Sequence, residues 1–338
     1  MLNRRAVVPV QAAGGAVAGT ALGTLPGTLS GGTLRGLSLL CLLLVAVIWG
    51  STLALIKETA ATLPFPLLLF VRFSVALLLL SWVRPTRAAL LPSTVLGLLL
   101  LACYAAQSLG VYLGSAAKSG FLMGLTVVVT PLLSNLLFRR RSSPLLYLSA
   151  GLVVLSVGLM GDLSWYRLAL GRGDLLVLAS ALLFSLYGVL LAEVSRYHQA
   201  FTLSAMQLYP MVLVSGLWAA PSLDTLLELT PGNWLALVYL AAIATVGVLV
   251  LWSWASRRVA AGEAALVYAL EPLAGALFAY LLVGEVPGSG VWYGGGMMIF
   301  AILLASFGQL RGARRKPSGA APNEVSDSQL GKRSFREL

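Results

Sequence analysis

Ten stretches of this chain are mostly apolar and long enough to cross a lipid bilayer: residues 37–56, 65–83, 93–113, 119–138, 144–161, 174–194, 202–220, 233–254, 262–283 and 290–310. A hydrocarbon core about 30 Å thick needs roughly 20 residues of helix at about 1.5 Å per residue. Inside that core each backbone polar group must be bonded within the protein, so only helices and closed barrels span it. The runs do not alternate apolar and polar residues as barrel strands do. The reading is therefore an all-α integral membrane protein with ten transmembrane helices.

Composition narrows the choice further. The chain is 59% apolar and 10% charged, against about 45–50% and about 25% for soluble domains. Its net charge of +11 does not indicate nucleic acid. The basic residues lie in short gaps such as Arg84-Pro85-Thr86-Arg87 and in the C-terminal tail, as in loops held at a membrane surface. Cys41 and Cys103 lie inside apolar runs and His198 stands alone, so no disulfide framework, metal site or resident cofactor is expected.

The basic residues also set orientation. With the N-terminus in the cytoplasm, 18 of the 23 Lys and Arg fall on inner segments, including Arg139, Arg140, Arg141, Arg257 and Arg258. Four (Lys57, Lys118, Arg167 and Arg172) fall outside, and Arg72 lies within a helix. An even count of ten helices, with both ends cytoplasmic, satisfies this bias.

The ends differ from the middle. Residues 1–36 are rich in Gly, Ala and Thr, with Gly15, Gly19, Gly23, Gly27 and Gly31 at four-residue spacing. That spacing suits a helix face, but Pro26 and the glycines disfavour a stable helix, so a disordered low-complexity segment is expected. Its acid-poor, Arg-containing character also fits a transit peptide, with a plastid envelope as the alternative to the bacterial inner (plasma) membrane. Residues 311–338 read as a disordered basic cytoplasmic tail.

Five helices per half would invert the second copy relative to the first, a recurrent carrier architecture. Two correspondences support a duplication over 37–161 and 174–310. Trp49-Gly50 matches Tyr187-Gly188, and Thr130-Pro131-Leu132 matches Glu271-Pro272-Leu273, at offsets of 138 and 141. Among the residues themselves, two ionisable groups stand inside spans, where charge is costly and functional by default. Arg72 sits about five residues from the end of its helix; it either snorkels to the interface or faces a central cavity and meets an anionic group such as a carboxylate. Glu271 sits about nine residues into its run; it either satisfies backbone groups freed by Pro272 or lines the cavity, binding a cationic group or a proton. The two are expected to pair in one state and separate in another. Trp49, Tyr187, Gln107, Gln207, Tyr112 and Tyr268 are further cavity candidates, because aromatic rings with a polar handle and buried amides suit an amphipathic ligand. Pro131, Pro210 and Pro272 are hinge candidates. Gly110 and Gly114 are expected to permit close helix contact, and Lys118 to anchor at the interface.

The segments AVIWGSTLALIK (46–57) and PLLLFVRF (66–73) resemble the opening of an EamA domain of the drug/metabolite transporter superfamily. So does GVYLGSAAKSGFLMGLTVVVTPLL (110–133), and residues 173–285, ending AALVYALEPLAGALFAYLLVGE, resemble a second copy. The resemblance implies a ten-helix inverted-repeat carrier of small metabolites, often exporting amino acids or related compounds. The first copy departs from the pattern, with Arg139-Arg140-Arg141 where an acid commonly closes the helix, as Glu285 does in the second. The resulting expectation is a secondary transporter, an exporter by alternating access, with lipid, a small-molecule substrate and protons as partners. The alternatives are a channel or lipid scramblase, and an intramembrane enzyme; for the last, HExxH and a buried Ser–His arrangement are missing, and no GxxxxGK[ST] loop supports ATP drive.

Overall fold

The structure, a computed structural model, describes residues 31–138, 144–160, 170–195, 197–255, 267–268 and 270–314. The leader, Arg139 to Arg141, Arg167, Arg196, Arg257, Arg258 and the tail from residue 315 lie outside the described residues. The expectations of a disordered leader and tail, and much of the charge-based orientation, rest on those residues.

Among the described residues the chain is helical and contains no strand. The helices are α1 (Gly31–Thr59), α2 (Phe65–Leu79), α3 (Leu90–Leu113), α4 (Ala116–Met123), α5 (Leu125–Phe138), α6 (Pro144–Met160), α7 (Arg172–Val194), α8 (Ala200–Ala219), α9 (Pro231–Val238), α10 (Val248–Ala255), α11 (Glu271–Val283) and α12 (Ser289–Arg314). A π-helical stretch, Tyr239–Gly247, joins α9 to α10. Among the described residues, six segments are long and apolar enough to cross a membrane: Gly36–Thr59, Arg87–Leu113, Ala116–Phe138, Arg172–Leu191, Phe201–Glu228 and Pro231–Trp252. Four apolar helices are shorter: Phe65–Leu79, Pro144–Ser156, Glu271–Val283 and Ser289–Ala305. The difference from ten equal spans has local causes. The run 65–83 ends its helix at Leu79, and the next residues form turns, Ser81 N–H donating to Leu78 O and Val83 N–H to Leu80 O. The first part of run 262–283 lies outside the described residues.

The surface is inverted relative to that of a soluble protein. Leu78, Leu91, Leu136, Leu217 and Val154 are each more than 70% exposed, while Ser38, Ser108, Ser149, Ser180, Ser185 and Ser215 are fully buried. Exposed apolar area on this scale fits lipid rather than water. Several buried serines satisfy themselves locally, while Ser180 donates across to Cys103 O on α3 at 2.8 Å and Ser108 Oγ has no partner. Ser38, Ser149, Ser156, Ser185 and Ser215 each donate to the carbonyl four residues back, a habit that lets small polar residues sit at helix contacts.

Glycines set the closest approaches. A Cβ on Gly110 would come within 2.9 Å of Gly173 O, and one on Gly173 within 2.6 Å of Gly110 O and 2.7 Å of Gly114 N. The expected Gly110–Gly114 contact face thus docks α3 on the start of α7. A Cβ on Gly50 would lie 2.7 Å from Ala274 Cβ and 2.9 Å from Glu271 O, fixing the α1–α11 crossing. A Cβ on its sequence counterpart Gly188 would lie 4.0 Å from Thr130 Cγ2, where α7 crosses α5. Matching residues thus make matching crossings, α1 on α11 and α7 on α5. Other contacts pair α2 with α8, α3 with α8 and α6 with α12.

Candidate functional site

The buried polar groups gather where the first six helices meet the last six. Arg72 lies near the middle of α2 and is 1% exposed, so it does not snorkel to the surface. Its Nε donates to Thr245 Oγ1 at 3.0 Å, and its guanidinium lies 4.7 Å from the Tyr104 ring centroid. Phe73 stands 6.0 Å off. Thr245 reaches this position from the π-helical stretch, its own hydroxyl donating five residues back to Leu240 O at 2.8 Å. Single-turn π segments inside helices recur at functional sites. Thr245 was not legible as a site residue, because a lone threonine in an apolar run carries no signal. Arg72 Nη1 is buried and has no hydrogen-bond partner.

Tyr187 and Gln207, both expected cavity residues, touch each other. Tyr187 donates to Gln207 Oε1 at 2.8 Å, which leaves the buried Gln207 Nε2 without a partner. Tyr104 bridges toward them, its ring 5.3 Å from Phe184 on α7, edge to face, and 5.4 Å from Phe73. Gln107 is buried one turn beyond Tyr104 on α3.

Trp49 and Tyr268 form a second aromatic group, with ring centroids 5.8 Å apart. Glu271 stands one turn after Tyr268, and its carbonyl lies under Gly50. Its setting differs from the mid-helix position expected. Glu271 opens α11, with Leu270 as N-cap and Pro272 in the first turn. Pro272 costs no hydrogen bond there, since a first-turn N–H, which proline lacks, would have no acceptor within the helix anyway. Among the described residues Glu271 and Arg72 form no ion pair. Pro131 and Pro210 do sit inside helices, α5 and α8.

Tyr112 lies elsewhere. Its hydroxyl donates to Leu63 O at 2.8 Å at one end of the bundle, beside a shallow cavity of about 460 Å³ lined by residues including Ala60, Thr62, Pro66 and Thr225. The same end is tied across the bundle. Lys118 Nζ lies 2.7 Å from Asp174 Oδ2, with side chains 12% and 9% exposed. Lys118 is therefore an ion-pair partner rather than a simple anchor. Asp174 Oδ2 also accepts from Gly171 N–H at 3.0 Å. Glu285 accepts from Ser115 Oγ at 2.7 Å and from Ala116 N–H and Ala117 N–H at 3.1 Å each. A carboxylate there meets the orphan amides and positive end of α4. Lys57 Nζ donates to Tyr112 O at 3.1 Å and Gly114 O at 2.7 Å. Sequence reasoning missed Asp174 because it stands 56 residues from its partner.

Comparison with known proteins follows the same division. A family model described as the EamA-like transporter family matches residues 36–161 and again residues 171–307. Two relatives from Archaeoglobus fulgidus, each named an uncharacterized transporter, are similar. One is 26% identical over 275 residues, covering 78% of this chain and 84% of the relative. The other is 29% identical over 290 residues, covering 79% and 96%. A solved structure described only as a crystal structure of protein matches 84% of this chain and 100% of its own, with a TM-score of 0.57 at 19% identity. That last likeness speaks to fold alone.

Proposed function

We propose that this chain, which belongs to the EamA-like transporter family, is a secondary carrier that moves small metabolites by alternating access between two inverted halves. Membrane transport itself follows from the family and from relatives named as transporters. The finer reading has ten crossings, both ends in the cytoplasm, the cell membrane as location, and export of amino acids or related amphipathic compounds. One observation carries it: polar groups from both family-matched segments meet inside an otherwise apolar bundle, as Arg72 meets Thr245. In lipid such groups are retained where a substrate path runs.

The two halves also meet at the end that carries Lys57. Lys118–Asp174 and Glu285–Ser115 each join one matched segment to the other. This is the arrangement a shut gate needs. A carrier must break it when that end opens, while the halves rock about the central groups.

Purified protein in liposomes tests the reading. Expected is a flux of amino acids or analogues that saturates with concentration and is inhibited by competitors. A flux that rises linearly without competition points to a channel, and lipid flip-flop without solute flux points to a scramblase.

A further inference from the structure

The interior holds buried donors without acceptors, and their placement names the chemistry that fits them. Arg72 Nη1 and Gln207 Nε2 are both buried and unpartnered. Both are donor-only atoms. Arg72 and Gln207 are each the eighth residue of their helix, α2 and α8.

Those helices run antiparallel in contact. Phe65 packs on Trp218 with ring centroids 4.9 Å apart, and Trp82 on Phe201 at 5.6 Å. A Cβ on Gly216 would lie 2.9 Å from Phe70. By these contacts Arg72 stands level with residues 211–214 of α8, four to seven residues from Gln207. At 1.5 Å per residue that is about 6–10 Å along the axis. Arg72 and Gln207 thus stand within about two helical turns of each other along the seam, a separation that a ligand of several atoms has to bridge to meet both donors.

The carboxylates near this seam do not fill the gap. Among the described residues none pairs with Arg72; Asp174 is bound to Lys118, and Glu285 to residues 115–117. Glu271 opens α11, its carbonyl under Gly50 of α1, and forms no ion pair with Arg72. A buried guanidinium with one neutral hydrogen bond and one ring beneath it is short of the negative charge it needs. Its orientation is nonetheless fixed, by Thr245 at Nε and by the Tyr104 face.

Resting on the carrier reading above, we infer that the seam between α2 and α8 is the subsite for a small organic anion, its carboxylate held by Arg72 and a second acceptor held by Gln207. Arg72 supplies charge-assisted bonds, about twice as strong as neutral ones. Gln207 is held ready because Tyr187 occupies its oxygen. A chloride ion is too small to reach both donors, and a purely cationic amine offers neither an acceptor.

The test uses the full chain in detergent micelles, with thermal unfolding followed against benzoate, benzamide, benzylamine and sodium chloride at matched concentrations. Ligands that bind the folded state raise Tm. Benzoate is expected to raise it and the other three are not. Arg72→Gln is expected to weaken benzoate about ten-fold or more, and Gln207→Leu about two- to five-fold, both read from the dose dependence. If Arg72→Gln does not fold, Thr245→Val keeps the guanidinium but frees its orientation, and it is expected to weaken benzoate several-fold. The inference is overturned if benzoate leaves the wild-type Tm unchanged. It is equally overturned if benzamide, benzylamine or chloride protects as well as benzoate, or if protection by benzoate survives these variants. Flux separates the two claims. Saturable transport of benzylamine without benzoate binding removes the anion subsite and leaves the carrier. Benzoate binding with no saturable flux of the three organic probes or of amino acids removes the carrier and leaves the subsite.

Discussion

At the scale of single residues, the cost of each buried polar group depends on its partner. Thr245 gives Arg72 its one hydrogen bond and holds the fork in place. Replacing it with valine strips an acceptor from a buried charged donor, a loss of about 1–3 kcal/mol; a lowered Tm in detergent with helicity retained is the expected result. Glu271 stands beside Tyr268 and under Gly50, and we propose it as the group that takes a coupling proton. Glu271→Gln is therefore expected to flatten the pH dependence of flux in liposomes; an unchanged rate and pH profile removes that role. Both residues stood out in the sequence as ionisable groups within spans. Their surroundings did not. Arg72 proves to lie on Tyr104 and Thr245, and Glu271 to open a helix instead of sitting in the middle of one.

At the scale of elements, glycine contacts and the cross-bundle ties matter most. Gly173→Leu would drive a side chain into Gly110 O and Gly114 N. Over-packing of this kind typically costs about 1–3 kcal/mol, so a fall in Tm is expected, with Gly151→Leu, which has nothing within 4 Å, as the neutral control. The tie of Lys118 to Asp174 is directional. Lys118→Glu sets two acids face to face, and Asp174→Lys sets two bases. Each single reversal is expected to raise labelling of a cysteine placed at Thr62, beside the end cavity, by a membrane-impermeant maleimide. The double reversal is expected to restore protection. Equal labelling in all forms means the pair does not hold this end shut. The Gly110–Gly114 spacing made a close contact legible, because four residues bring small groups onto one helix face. The partner, Gly173, was not legible, since nothing local says which helix will dock.

At the scale of the whole molecule, the two copies should run in opposite directions through the membrane. Reporter fusions at Pro144 and at Gly171 are expected on opposite sides, with both chain ends on one side. Reporters placing Pro144 and Gly171 together would end the inverted-half reading. The correspondence of Trp49-Gly50 with Tyr187-Gly188 was visible as spacing. In the fold it becomes paired crossings, Gly50 against Glu271 and Gly188 against Thr130.

Long apolar runs by themselves determined that this chain is helical and belongs in lipid, because backbone groups in hydrocarbon must bond to their own segment and burial there is a local property of composition. Glycine, proline and charge positions likewise marked candidate contacts and the two intramembrane ionisable residues. Only the tertiary structure decided which donors end without acceptors, that Lys118 meets Asp174 and Glu285 meets Ser115, and that Tyr112 belongs to one end and not to the centre. Those outcomes depend on which helices touch and at what depth. Between helices already in lipid, that choice rests on shape and on satisfying buried polar atoms, and neither can be read until the neighbour is known.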